Sequence, residues 1–409
     1  MNSNWAIKNA SIPGQDGRWC ISISSGLIDT VSPDVTGWRD DRASMVFDAQ
    51  GRLVSTGFVD PHVHLDKVLT QDRSVNAGLA FDLETSIRAV RELKKAFSLE
   101  DVSHRAQRAL AMGLAHGTTS ARTHCEVDRY VEQRAVQGVL AAAGLMSGQV
   151  DLQVIAFPQE GWFETPGSLE DGAGTFVETA IKDGLNIVGG NINACLWPSD
   201  PERQVDETFA LAARYNCDID YHLDNWDGAE AFTLPYVAQK TINHGWQGRV
   251  AVSHIASLSH ISQARAADTI DLMLQADIQV CVLPTRIRLT RVLELMEAGV
   301  NVSCGTDNMQ DPFVRFGDAD PLKAMLLLAQ LTKQLNDKDL EKIWQTMTVN
   351  SARMLRLANY GLRSGAAADL VVFDADSAPK AILLQAPKLA VIKNGVQVHG
   401  PLQVGPTAN

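Results

Sequence analysis

Gly57-Phe58-Val59-Asp60-Pro61-His62-Val63-His64 is an apolar run that ends on two histidines spaced i and i+2. Alternate residues of an extended strand share a face, so both imidazoles point to the same side. Two neutral ring nitrogens on one side can share a metal ion. One His-x-His carries little weight alone, but its pattern recurs downstream. Asp220-Tyr221-His222, Val252-Ser253-His254 and Cys304-Gly305-Thr306-Asp307 each close a further apolar run.

Eight such runs are expected as strands: Leu53–His64, Thr118–His124, Leu152–Phe157, Leu185–Gly189, Cys217–His222, Val250–His254, Ile278–Leu283 and Val300–Gly305. Segments of helical periodicity separate them, and from the third to the sixth the repeat is about 32 residues, the length of a βα unit. Eight units specify an α/β fold, a (β/α)₈ TIM barrel, whose active site lies at the C-terminal ends of the strands. That is where the histidines and Asp307 fall. His104, His116, His244, His260 and His399 fall in helical or terminal segments and read as surface or capping residues. His124 ends the second run and either lines the pocket or orients a ligand, or else touches the metal.

The chain ends alternate with the period of two instead. IKNASI, WCISISSGLIDTV and MVFDAQGRL near the start, and GAAADLVVFDAD and KLAVIKNGVQVHG near the end, carry hairpin signals. Neither half closes a core by itself. A small β-sandwich built from residues 1–56 and 358–409 is expected beside a barrel of residues 57–357.

The 409 residues are 45% hydrophobic and 21% charged, which fits a folded enzyme and argues against disorder. Thirty-six Lys and Arg against 48 Asp and Glu give a net charge of −12, with no basic run to track phosphates, so nucleic acid is not an expected partner. The six cysteines are scattered, without a C-x-x-C pair, and read as reduced, mostly buried thiols. No apolar stretch approaches the length of a membrane span and the first residues lack a signal-peptide pattern, so a cytoplasmic location without membrane association is expected.

The motifs GFVDPHVHLDK (57–67), TSARTHCEVD (119–128), VIAFPQEGWF (154–163), CDIDYHLDNWDG (217–228), GRVAVSHIASLS (248–259), VNVSCGTDNMQDPFVRFGDADPL (300–322) and GAAADLVVFDADS (365–377) together resemble the amidohydrolase superfamily. The resemblance covers essentially the whole chain and is closest to the cytosine deaminase-like branch. Within it, HxHxDK, IDYH and QKTINHGWQGRV (239–250) look more like the N-isopropylammelide amidohydrolases than the cytosine deaminases.

The resemblance implies one divalent ion, Zn²⁺ or Fe²⁺, held by His62, His64, His222 and Asp307, with His254 adjacent. Such an ion lowers the pKa of a bound water to about 7. Binuclear relatives carry a lysine at the end of the fourth strand, whereas this one reads LNIVGGNIN, so a single metal is expected. The implied reaction is attack of metal-bound hydroxide on a ring carbon, releasing an exocyclic amino or alkylamino group from a pyrimidine- or s-triazine-like heterocycle. Asp307 is then the base and His254 stabilises developing negative charge. Gln159 in FPQEG and Lys67 after the metal motif are expected to bind substrate, although a loop glutamine and a salt-bridged lysine fit the same residues.

The chain departs from the family after its fifth-strand histidine. Cytosine deaminases place a glutamate three residues on, where this chain has Asn225. Asp224 is therefore the candidate general acid, with a substrate-pairing wall carboxylate as its rival role and Glu160 as the other candidate acid. Asn308 replaces an aspartate of the cytosine deaminases, which changes an acceptor into a donor and acceptor. Trp162, Phe163, Trp226 and Phe313 either stack on a planar ring or anchor loops. The segment Val282–Arg288 is shorter than its cytosine deaminase counterpart, which fits a more open pocket. A ring-opening hydrolase of cyclic amides and a catalytically silent binding protein are the alternative functions. Family barrels commonly associate, so a homo-oligomer is expected.

Overall fold

In the computed structural model, residues 4–73, 83–163, 173–192, 200–225, 232–284 and 289–400 are described. Eight parallel strands form one near-closed sheet in sequential order. They are Phe58–Val63, Thr118–Glu126, Asp151–Phe157, Ile187–Asn191, Asp218–Leu223, Val250–His254, Gln279–Val282 and Asn301–Cys304. The seam between the first and eighth strands is drawn together beyond the latter's end. There Asp307 bridges Val63 in parallel and its N–H donates to the His62 carbonyl at 2.9 Å.

The crossover helices begin and end on residues suited to the task. Ser98, Asp200, Ser262 and Asp320 accept backbone N–H groups at the starts of Leu99–Ala115, Pro201–Tyr215, Gln263–Gln275 and Pro321–Thr332. Gly245 and Gly299 end two others in the left-handed conformation. Inside the barrel, Arg122 of the second strand reaches Asp220 of the fifth at 2.9 Å and Gln153 of the third at 2.8 Å. All three strands are thereby tied through one buried guanidinium, whose charge is compensated rather than stranded.

The expected run Leu53–His64 divides in two. Val54–Thr56 pairs with Leu370–Phe373 of the terminal region, and the barrel strand starts only at Phe58. Gly57 is the crossing point. Its N–H donates to Asp369 at 2.8 Å, and a Cβ there would lie 2.2 Å from Thr119 Oγ1, so only glycine lets the chain pass this close to the second strand.

Two four-stranded sheets come from the chain ends. One contains Trp5–Ile12, Gln15–Ser24, Leu27–Pro33 and Met45–Asp48; the other contains Val54–Thr56, Leu370–Phe373, Lys388–Lys393 and Val396–His399. They share one apolar core, in which Ile7, Ile21 and Val54 meet Leu370, Val372 and Ile392. The buried ammonium of Lys393 donates to Asp369 at 2.5 Å and to Asp151, the first residue of the third barrel strand, at 2.6 Å. Cys20, Cys125, Cys217, Cys281 and Cys304 are free and buried, while Cys195 lies outside the described residues. No helix among the described residues is long and apolar enough to cross a membrane.

Candidate active site

The histidines converge as the strand pattern requires. His62 lies in the first strand, His64 one residue past its end and His222 in the fifth, all buried. His64 Nε2 is 3.2 Å from His222 Nε2, and Asp307 Oδ1 is 3.5 Å from His62 Nε2 and 3.4 Å from His64 Nε2. Metal–nitrogen bonds of about 2.1 Å in a tetrahedral site would place donor atoms about 3.4 Å apart. His62 Nε2 is buried without a hydrogen-bond partner among the described residues, an orphan that an ion would satisfy. Three neutral imidazoles and a carboxylate therefore fit a divalent metal. The proton balance agrees, because burial first, then the neighbouring cationic and imidazole groups, hold His64 and His222 well below the usual histidine value.

Partners around these groups set their orientation. Ser253 of the sixth strand meets His62 Nδ1 at 2.9 Å, which leaves Nε2 to face the site. Asp60, two residues before His62, accepts from Thr306 Oγ1 at 2.5 Å and from Thr306 N–H at 3.2 Å, pinning the residue beside Asp307. Burial raises the Asp60 carboxyl to about 6. His254 ends the sixth strand, and its ring centre is 4.9 Å from that of His222. His254 and Asp307 both adopt left-handed backbone, with φ of 72° and 63°. Such angles are costly away from glycine and cluster at functional positions.

His124 lies 4.2 Å from His62 between ring centres, but its Nε2 faces Asp220 Oδ1 at 3.4 Å. Burial lowers it to about 4, so it packs as a neutral ring against His62 and His64.

Asp224 follows the fifth strand directly, fully buried and with φ of 48°. Its carboxylate accepts the N–H of Thr233 at 2.9 and 3.0 Å and that of Leu234 at 2.9 Å, at the start of helix Leu234–His244. Burial nevertheless pushes this carboxyl up to about 7. Asn225 beside it is half-buried, and Trp226 lies outside the described residues, as do residues 285–288 of the expected short loop. Glu160 is held by ion pairs, accepting from Arg91 Nε at 2.7 Å and lying 3.0 Å from Lys94 Nζ.

Lys67 and Gln159 are brought together, with Nζ 3.3 Å from Oε1. Lys67 also ion-pairs with Glu126. Asn308 donates to Asp311 Oδ2 at 2.7 Å, and Asp311 accepts the backbone N–H groups of Phe313 and Val314. Phe313 lies over the Lys67 ammonium, 5.4 Å from ring centre to Nζ. Trp162 is buried, its backbone N–H donating to Gln204 Oε1 at 3.1 Å, and Phe163 packs against the Arg203 guanidinium.

Sequence reasoning missed Asp60, Ser253, Glu126 and Lys94. The first two were visible as polar residues beside the ligand positions. Lys94 ends a helix that carries no motif, and no local signal marks it.

Residues 78–399 match the model of the Amidohydrolase family. The chain is 32% identical over 398 residues to the N-isopropylammelide isopropyl amidohydrolase of Pseudomonas sp. strain ADP, covering 95% of each protein. It is 27% identical over 372 residues to a pterin deaminase of Rhizobium rhizogenes, covering 87% of this chain and 82% of that protein. The crystal structure of Klebsiella pneumoniae 5-methylcytosine deaminase with 5-fluorocytosine superposes with a TM-score of 0.88, at 28% identity over 97% of both chains. The protein belongs to the Amidohydrolase family, and its buried histidine centre is that of a hydrolase acting on carbon–nitrogen bonds.

Proposed function

We propose that the protein is a hydrolytic aminohydrolase that removes an exocyclic amino or alkylamino group from a nitrogen heterocycle. The observation that carries this reading is the convergence of His62, His64 and His222 within a single ion's reach, with Asp307 Oδ1 beside two of them at 3.5 and 3.4 Å. The relatives that act on N-isopropylammelide, pterin and 5-methylcytosine support an exocyclic nitrogen as the leaving group.

A divalent ion, Zn²⁺ or Fe²⁺, bound by these four residues would supply Lewis acidity that makes water a nucleophile at neutral pH. Asp307 is positioned by its backbone bond to His62 to accept the water's proton as oxygen attacks the ring carbon. His254, across from His222, stabilises the negative charge that builds on the attacked centre. Asp224 donates a proton to the departing nitrogen, so that the carbon–nitrogen bond breaks with loss of neutral amine and the ring keeps a carbonyl. The burial of Asp224 directly beyond the His222 strand supports this role. Its competing role is the capping of the following helix. Lys67, Gln159, Asn308, Asn225 and Trp162 are the residues assigned to the substrate.

The test is product analysis after incubation with amino- and alkylamino-substituted s-triazines, pyrimidines and pterins. Release of ammonia or alkylamine with the ring intact is expected. A ring-opened acid without free amine, or no product from any ring, would overturn the reading.

A further inference from the structure

The barrel closes between its first and eighth strands without a ladder of backbone bonds. Among the described residues the sheet runs in order from one to the other, and a single bridge, Val63 with Asp307, crosses the gap. A side chain supplies what the backbone does not. Asp60 of the first strand accepts the Thr306 N–H through Oδ1 at 3.2 Å and the Thr306 hydroxyl through Oδ2 at 2.5 Å. Its carboxylate thus clasps the residue before Asp307.

Behind this clasp, under helix Leu99–Ala115, lies a cavity of about 30 Å³. Asp60, Thr306 and Asp307 line it together with Thr118 of the second strand, and apolar side chains such as Leu110 and Met309 complete its walls. His62, His64, His222 and His254 do not border it, so it is separate from the mouth of the barrel. A space of this size holds at least one water, for which about 10–15 Å³ is enough, provided that two or more polar groups face it.

Two groups meet that condition. Thr118 is 5% exposed, and its hydroxyl is buried with no hydrogen-bond partner among the described residues. A buried hydroxyl left unpaired is costly, so this one calls for a partner. Asp60 is 2% exposed, and its Oδ2 accepts one bond among the described residues where a carboxylate oxygen can take two. The helix leaves the space open. A Cβ on Gly113, which also lines the cavity, would lie 3.6 Å from Thr118 Cβ and 3.8 Å from Thr118 Oγ1, and a longer side chain would extend into the space between.

We propose that this cavity is a water site, in which ordered water accepts from the Thr118 hydroxyl and donates to Asp60, and so completes the clasp that holds Thr306 and Asp307 against the metal histidines. Thr118 and Asp60 are then positioning residues that act on the metal carboxylate from behind the barrel wall. Their effect at the metal rests on the single-ion reading under the proposed function; the water site itself does not.

The experiment compares the wild type with three variants. Thr118→Val keeps the shape and removes the hydroxyl, Thr118→Ser keeps the hydroxyl, and Gly113→Leu fills the space from the helix side. Long-lived internal waters are counted in the full-length protein by oxygen-17 relaxation dispersion, and Zn²⁺ affinity is read by titrating the loaded protein with a chelator. Thr118→Val and Gly113→Leu are each expected to hold at least one water fewer than the wild type. Both should bind Zn²⁺ roughly threefold to tenfold more weakly, a smaller loss than the 10–100-fold typical of groups bonded directly to metal ligands. Thr118→Ser should match the wild type in both readouts, and Thr118→Val should lower Tm. A dry cavity predicts the opposite sign, because removing an unpaired buried hydroxyl raises Tm. A higher Tm with an unchanged water count, or unchanged Zn²⁺ affinity after loss of the water, would overturn the proposal. The two Thr118 variants decide by themselves if Gly113→Leu does not fold. A wild type that binds no Zn²⁺ refutes the single-ion reading and the clasp's effect at the metal, while the water count and the sign of the Tm change still decide the water site.

Discussion

Asp224 carries two demands on one carboxylate. Its three bonds from Thr233 and Leu234 favour the charged form, yet burial keeps the carboxyl near 7. Asparagine caps a helix about as well as aspartate but cannot deliver a proton. Asp224→Asn is therefore expected to lower kcat by at least a hundredfold, with Tm and metal content close to wild type. Equal activity would remove Asp224 from the chemistry, and a fall in Tm matching the fall in activity would assign it to the cap. The convergence of His62, His64 and His222 was legible at this scale because strand alternation needs only neighbouring residues. The partners of Lys67 were not, since its acid lies 59 residues on and the other lysine binding that acid lies 32 residues before it.

At the scale of elements, helix Leu83–Lys94 and the second barrel strand are joined by the ion pair of Lys94 with Glu126. Burial works against the ionised Glu126, but the Lys67 and Lys94 ammoniums outweigh it and hold the carboxyl down at about 2. A folded value below the unfolded one of about 4.5 contributes stability that is complete above pH ~4.5 and lost as pH falls toward 2. Glu126→Gln leaves two buried ammoniums short of a partner, at a cost of about 3 kcal/mol at pH 7. The gap between wild type and variant in denaturant midpoint should narrow as pH drops below 4.5. A gap that stays constant to pH 3 would contradict this account of the ion pairs. The sequence placed the eight strands but ran the first one through Gly57. Hydrophobic alternation continues across that residue, and only the clash that a Cβ would make with Thr119 explains the break.

Across the whole molecule, the barrel brings residues from the first, fifth and eighth strands, more than 200 positions apart, to one point at their C-terminal ends. The terminal sheets stay outside that point and dock on the barrel through Lys393. Recurrent strand ends made this architecture readable, because each βα unit repeats the same local pattern. Specificity was not readable, because it depends on which way amides and ammoniums turn once distant side chains meet. The central claim is that one metal ion in the His62, His64, His222 and Asp307 shell supports the hydrolysis. The most direct measurement is activity of chelated protein as Zn²⁺ or Fe²⁺ is added back, with bound metal counted by mass spectrometry. Activity rising linearly to a plateau at one ion per chain, with no ion retained by His222→Ala, is predicted. Full activity without metal, or a plateau only at two ions per chain, would contradict it.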